Sequence, residues 1–140
     1  MKNILLIRHG ESVWNKLNLF TGFKNVELSE HGIEEANKAG KNFKNLNLRF
    51  DIVFTSELKR AQDTAKIILE NLEQWNQLNS ENKIIKNVNL NERDYGDLTG
   101  LNKKETAEKF GDEQVHKWRR GYSDKPPNGE SLEDVVNRVC

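Results

Sequence analysis

The stretch Asn3-Ile-Leu-Leu-Ile-Arg-His-Gly10 decides the fold that this sequence predicts. Its apolar run, residues 4–7, is bounded by polar residues, which is typical of a strand buried on both faces of a parallel sheet. His9 would then follow the carboxyl end of that strand, where α/β sheets bind their ligands. The stretch therefore predicts both an α/β domain and the position of its site.

The residues after this run suit the handling of an anion. Neutral imidazole is a nucleophile near pH 7, so His9 could accept a phosphoryl group. The guanidinium of Arg8 could neutralise its charge, and Gly10 lets the backbone approach a bound group closely. The alternative is a surface histidine that follows a strand and has no chemical role.

Helix and strand signals alternate outward from this stretch. Apolar residues at helical spacing follow Ser29 and Ser56, and both serines are good N-caps. Two capping boxes, Asn102 with Glu105 and Ser131 with Asp134, indicate further short helices. We expect strands at 3–7, 51–55 and 83–90, and helices that begin after Ser29, Ser56, Asn102 and Ser131. This order predicts a mostly parallel sheet with helices on both faces.

Length and composition limit the class of protein. The chain has 140 residues, and its 22 Lys and Arg balance 22 Asp and Glu, which argues against a general nucleic-acid or membrane-surface binder. The longest apolar run, residues 4–7, is far short of the ~20 residues of a membrane span. A single cysteine and no signal peptide favour a cytoplasmic protein. We expect one domain over 1–140 without membrane or nucleic-acid partners.

The C-terminal helix shapes a further expectation. Its apolar stripe, which includes Val136 and Val139, runs to Cys140 without a C-cap signal. We therefore expect the domain to be truncated at its C-terminus. We also expect the 140-residue chain alone to be inactive or poorly folded, and to associate into a homo-oligomer.

Metal and nucleotide sites find no support in the sequence. The three histidines and one cysteine show no ligand spacing, so we expect no metal. No glycine-rich nucleotide-binding motif occurs.

Several ordered motifs together resemble one known family. Arg8-His-Gly-Glu-Ser12 after an apolar strand resembles the histidine phosphatase superfamily. The longer set resembles its 2,3-bisphosphoglycerate-dependent phosphoglycerate mutases, from residue 4 to the end. The further motifs are Phe20-Thr-Gly22, Ser56-Glu-Leu-Lys-Arg-Ala-Gln-Asp-Thr64, Leu90-Asn-Glu-Arg-Asp-Tyr-Gly96, Leu101-Asn-Lys103, Trp118-Arg-Arg120 and Pro126-Pro-Asn-Gly-Glu-Ser131.

The resemblance implies a fold and an activity. The fold is a phosphoglycerate mutase-like three-layer α/β sandwich. The activity is the interconversion of 3-phosphoglycerate and 2-phosphoglycerate in glycolysis and gluconeogenesis. It uses a phosphohistidine primed by 2,3-bisphosphoglycerate and no metal, so the partners are small phosphoglycerates.

The resemblance also implies roles for individual residues. His9 becomes the phosphohistidine, Arg8 and Arg60 hold the transferring phosphoryl group, and Glu92 is the general acid and base. The alternative for Arg60 is a surface residue of a helix, but its place just after Ser56, at a predicted junction of strand and helix, favours the site. Taken alone, Glu92 would be a solvated carboxylate. The implied substrate-binding residues are Arg8, Asn15, Thr21, Gly22, Arg60, Glu92, Tyr95, Lys103, Arg119 and Arg120.

Two alternatives to mutase activity stay open. One is a phosphatase of the same superfamily, which transfers the phosphoryl group from His9 to water. The other is a non-catalytic fragment, because the family has a second catalytic histidine in an Ala-His-Gly-Asn-Ser-like segment. Neither His31 nor His116 lies in such a segment, and we expect both to be structural.

Overall fold

The computed structural model describes residues 2–140. Short helices dominate this part of the chain, and the only regular strands within it form one small sheet. The helices are α1 (Val13–Lys16), α2 (Glu30–Asn45), α3 (Lys59–Asn71), α4 (Trp75–Ser80), α5 (Lys103–Phe110), α6 (Asp112–Arg120) and α7 (Leu132–Val139). The strands are β1 (Val53–Thr55) and β2 (Ile84–Lys86), and single 3-10 turns cover Val88–Leu90 and Gly96–Leu98.

The two strands confirm the predicted α/β class with a parallel sheet. β1 and β2 run parallel, with Val53 opposite Ile84 and Thr55 opposite Lys86. Parallel neighbours need a long crossover, and helices α3 and α4 provide it. Asn87 shortens the strand predicted at 83–90, because its side chain accepts a hydrogen bond from the Asn89 amide and starts a 3-10 turn.

The prediction of a buried strand at 3–7 is wrong for this structure. The stretch pairs with neither β1 nor β2, and the side chains of Ile4 and Leu6 are 88% and 90% exposed. An apolar run is buried only when other elements cover it. Within residues 2–140 no strand pairs with this run. Its backbone therefore forms no hydrogen bonds with a neighbouring strand, and its side chains stay exposed.

Three of the four predicted helix starts are confirmed. Ser29 caps α2, Asn102 caps α5, and Ser131 forms a full capping box with Asp134 at α7. Ser56 does not cap α3. Its hydroxyl accepts the Leu58 amide in a short turn, which leaves Leu58 extended as the N-cap.

Buried apolar side chains form two clusters. One joins α3 and α4 through Ile68, Leu69, Leu72 and Leu78, and the other joins Phe20, Leu98 and Val115. The start of α2 packs on the chain after His9, where the Ser29 amide donates to the Glu11 carbonyl at 2.9 Å. A Cβ at Gly32 would lie 2.0 Å from that carbonyl oxygen, so this contact requires glycine.

Candidate active site

A cavity of about 1630 Å³ runs between residues 2–9, β1 and α3. Ligand pockets usually enclose about 300–1,000 Å³. This one is larger because it joins a polar end around His9 to an apolar end along residues 4–7. Every site residue predicted from the sequence except Gly22 lines it: Arg8, His9, Asn15, Thr21, Arg60, Glu92, Tyr95, Lys103, Arg119 and Arg120.

His9 is held in the tautomer that a nucleophile needs. Its Nδ1 lies 2.6 Å from the carbonyl oxygen of Gly10. A carbonyl can only accept, so Nδ1 carries the proton and Nε2 keeps its lone pair. Burial lowers the pKa of His9 below 6.5; the Gly10 hydrogen bond opposes this, and the positive charge of Arg60 lowers it further. The ring is therefore neutral near pH 7.

Arg60, at the first turn of α3, connects three segments. Its side chain is 1% exposed, so the interpretation as a surface residue of a helix is wrong. The guanidinium donates to the carbonyl oxygens of Gly22 and Lys24, each at 2.8 Å, and to the Glu92 carboxylate at 2.8 Å. A buried charge is stable only when it is paired and hydrogen-bonded, and these acceptors meet that need. Gly22 does not line the cavity, but its carbonyl holds Arg60.

The carboxylate of Glu92 lies on the same cavity as His9. One of its oxygens is bonded to Arg60, and the side chain stays 40% exposed. A carboxyl group that is fixed on one side and open on the other can exchange protons with a ligand.

Phe20 organises the positive charges opposite Glu92. Its ring is fully buried and packs against the Tyr95 ring, with the centroids 5.0 Å apart and the planes tilted by 48°. Lys103 Nζ and the Arg119 guanidinium lie 5.8 and 6.0 Å from the ring centroid. Burial lowers the pKa of Lys103, the positive charge of Arg119 adds to this, and Glu92 opposes it. An anion bound here would relieve that repulsion.

Thr21 and Asn15 contribute in different ways. Thr21 is 3% exposed, and its hydroxyl has no partner within residues 2–140, so it is free for a ligand. Asn15 has its side-chain oxygen occupied, because it accepts the Ser12 amide in the capping box of α1. Arg8 and Arg120 are exposed.

The sequence reasoning did not single out Phe20 or Arg93 as site residues. Arg93 is buried; it donates to the Arg119 carbonyl at 2.9 Å and lies 4.9 Å from the centroid of the Tyr95 ring. It therefore supports the end of α6 that carries Arg119. The only signal for either residue was its place inside a recognised motif.

Other ionisable groups lie apart from this cluster. His31 is exposed on α2 beside Glu34 and Glu35, and neither it nor His116 lines the cavity. Within residues 2–140, no group of three or more His, Cys, Asp or Glu side chains could hold a metal ion. None of the helices described is long and apolar enough to cross a membrane.

Comparison with known proteins gives one consistent family. The model of the histidine phosphatase superfamily, branch 1, matches residues 4–140. The chain is 54% identical over 138 residues to the 2,3-bisphosphoglycerate-dependent phosphoglycerate mutase of Bartonella bacilliformis, covering 99% of this chain and 65% of that protein. It is also 54% identical to the enzyme of the same name from Parvibaculum lavamentivorans, covering 99% and 64%. The chain thus spans slightly less than two thirds of these relatives' length.

Solved structures share the fold at lower identity. A mycobacterial glucosyl-3-phosphoglycerate phosphatase superposes with a TM-score of 0.77 and 26% identity, over 93% of this chain and 57% of that one. The α-ribazole phosphatase of Shigella flexneri gives a TM-score of 0.74 and 28% identity, over 95% and 61%.

Proposed function

The chain belongs to the histidine phosphatase superfamily, branch 1, and from that premise we propose that it serves the interconversion of 3-phosphoglycerate and 2-phosphoglycerate. The observation that carries the proposal is 54% identity to mutases across 99% of the chain. The proposal includes priming by 2,3-bisphosphoglycerate and a cytoplasmic role in glycolysis and gluconeogenesis.

The chemistry begins at His9. Its Nε2 attacks a phosphorus atom of the bisphosphorylated ligand, so the N–P bond forms as the P–O bond breaks. The departing alkoxide takes a proton from the Glu92 carboxyl group. In the next step the Glu92 carboxylate takes the proton of the free hydroxyl of a monophosphoglycerate as that oxygen attacks the phosphohistidine, so a P–O bond forms as the N–P bond breaks. The bisphosphorylated product then reorients, and its other phosphate returns to His9 by the first step, which leaves the isomer. Support comes from the free Nε2 lone pair and from the shared cavity.

Positive charge stabilises the transferring group. Arg8 lies next to His9 in sequence and is free to contact the phosphoryl oxygens. Arg60 Nη2 already donates to Gly22 and Glu92, so Arg60 acts mainly through its charge and by holding Glu92. Fixed charges of this kind need no reorganisation during the reaction.

Further cations of the cavity bind the rest of the ligand. Lys103, Arg119 and Arg120 line the cavity together, although the net charge of the chain is zero. A phosphoglycerate carries a carboxylate and a phosphate, and arginine suits both through paired hydrogen bonds.

The test is phosphorylation of His9 in the 140-residue chain. Incubation with 2,3-bisphosphoglycerate should give one acid-labile phosphate, located at His9 by mass spectrometry. His9→Asn should abolish it, whereas His31→Asn, the same change at an exposed histidine, should retain it. Absence of phosphate on His9 in a folded chain would favour a non-catalytic role.

A phosphatase is the second candidate, and the solved structures favour it. Two of them are named as phosphatases, one of a glucosyl-3-phosphoglycerate, at 26% and 28% identity. Measuring released phosphate against isomer formation separates the two activities. A mutase should form isomer faster than phosphate, because its cation cluster retains the intermediate.

A further inference from the structure

Arg138, in the last turn of α7, forms a paired contact with Glu130. Its Nε and Nη2 donate to the two carboxylate oxygens at 2.8 and 3.0 Å, and both side chains are about one-fifth exposed. Glu130 also accepts the Asp94 amide at 2.9 Å, and its own amide donates to the Asp94 carbonyl at 2.8 Å. The guanidinium is thus tied, through Glu130, to the backbone two residues after Glu92.

The same guanidinium contacts the backbone before Glu92. Nη2 donates to the Asn91 carbonyl at 2.8 Å and more weakly to the Glu92 carbonyl at 3.3 Å, and Nη1 donates to Asn89. Asn91 is itself buried, and its side-chain oxygen accepts the Glu57 amide at 3.0 Å. Glu92 is therefore bracketed on both sides by bonds that converge on one side chain.

This arrangement needs the planar fork of arginine. A lysine ammonium is a point charge and cannot reach the Glu130 carboxylate and several carbonyls in fixed directions at once. Burial acts to raise the pKa of Glu130, but the bonds from Arg138 and the Asp94 amide outweigh it and hold the pKa below 4.5. The pair therefore stays charged at neutral pH.

We propose that Arg138, paired with Glu130, is a positioning residue that fixes the backbone of residues 91–94 and so aims the Glu92 carboxylate at Arg60 and the cavity. The importance of this orientation of Glu92 for proton transfer rests on the proposed function. The geometric claim does not, because it concerns the chain without ligand.

The experiment is NMR of the full 140-residue chain without ligand. In Arg138→Gln, the side-chain carboxyl carbon of Glu92 should shift, and the Arg60 guanidinium protons should exchange with water about tenfold faster as their bond to Glu92 loosens. Arg138→Lys, which keeps the charge but not the fork, should give an intermediate result.

The matched control is Lys125→Gln. It removes one positive charge bonded to Asp134 of the same helix α7, but Lys125 forms no hydrogen bond or ion pair with residues 91–94. Both NMR signals should stay as in the wild type. If Lys125→Gln moves them as much as Arg138→Gln, the effect is one of charge and the proposal fails.

Two further outcomes would overturn the proposal. The first is a folded Arg138→Gln, or Arg138→Lys if only that variant folds, with unchanged Glu92 and Arg60 signals. The second is loss of fold in both variants, which would make Arg138 a residue for global stability. Missing phosphorylation of wild-type His9 would instead count against the proposed function and leave this result standing.

Discussion

The two ends of the large cavity are built in opposite ways. At the polar end, the arginine Arg60 is 1% exposed, and at the apolar end Leu6 is 90% and Phe54 58% exposed. Arg60 is buried because carbonyls and a carboxylate surround it. Leu6 is open because no element of residues 2–140 covers it. Burial in this chain therefore follows available partners more than residue type.

The polar end of the cavity is held in place by side-chain hydrogen bonds more than by the sheet. Its loops are tied to α3 through Arg60 and to α7 through Arg138, by bonds from side chains to backbone carbonyls. The apolar end, in contrast, lies along residues 4–7, β1 and α3, and within residues 2–140 no strand pairs with residues 4–7. Four measurements test this difference between the two ends of the cavity.

The largest effect should come from one substitution made in both regions. Leu98→Ala removes a side chain that is 2% exposed in the cluster around Phe20, and should cost about 2–5 kcal/mol in the free energy of unfolding. Leu6→Ala, at a side chain 90% exposed, should cost less than about 0.5 kcal/mol. Urea unfolding measures both. Equal costs would show that residues 4–7 are covered in solution, and the contrast would be broken.

Arg60→Met should come next, at roughly 3 kcal/mol of lost stability. The methionine fills similar space but leaves the carbonyls of Gly22 and Lys24 without their donor and Glu92 without its cation. The control is Arg49→Met at an exposed arginine, which should change stability by less than about 0.5 kcal/mol. If Arg60→Met lost little stability in the same urea assay, the loops that carry Gly22, Lys24 and Glu92 would not depend on Arg60.

A smaller effect should appear on acidification, through His9. Its pKa is lower in the folded chain than the ordinary 6.5, so the unfolded chain binds the proton first. The stability that neutral His9 contributes is thus present above pH 6.5 and is lost as pH falls toward the folded pKa. The slope should stay below about 1.4 kcal/mol per pH unit, since part of the ring faces solvent.

The measurement for His9 is the difference in unfolding free energy between the wild type and His9→Asn. This difference should be constant above pH 6.5. Below pH 6.5 the wild type should lose stability relative to His9→Asn, because only the wild type has the His9 ring to protonate. Parallel profiles for the two proteins would mean that the ring is not desolvated in solution.

The smallest effect is a shift in the pKa of Lys103. Burial is the main cause of its lowering, and Arg119 adds to it, so Arg119→Gln should raise the pKa of Lys103. A ¹⁵N-detected titration of the Lys103 ammonium measures this. Lys117→Gln makes a similar charge change on the same helix but is not a cause of the lowering. If both variants gave the same shift in the pKa of Lys103, Arg119 would have no local electrostatic effect on Lys103.

Local signals in the sequence predicted local structure well. Ser29, Asn102 and Ser131 cap helices because each cap depends only on a side chain and the amides within three residues of it. Ser56 failed as a cap because its hydroxyl had a competing local use, a turn to the Leu58 amide. Propensity alone does not decide between two such uses.

The amino-acid sequence was enough to predict the α/β class, most of the helix starts and, through resemblance, the residues that line one cavity. Those features depend on nearby residues or on ordered motifs. The three-dimensional packing was needed to find that Arg60 is buried, that Phe20 lies near two cations and Tyr95, that Arg138 brackets Glu92, and that residues 4–7 are exposed. Burial and convergent hydrogen bonds join residues far apart in the chain, so no local pattern encodes them.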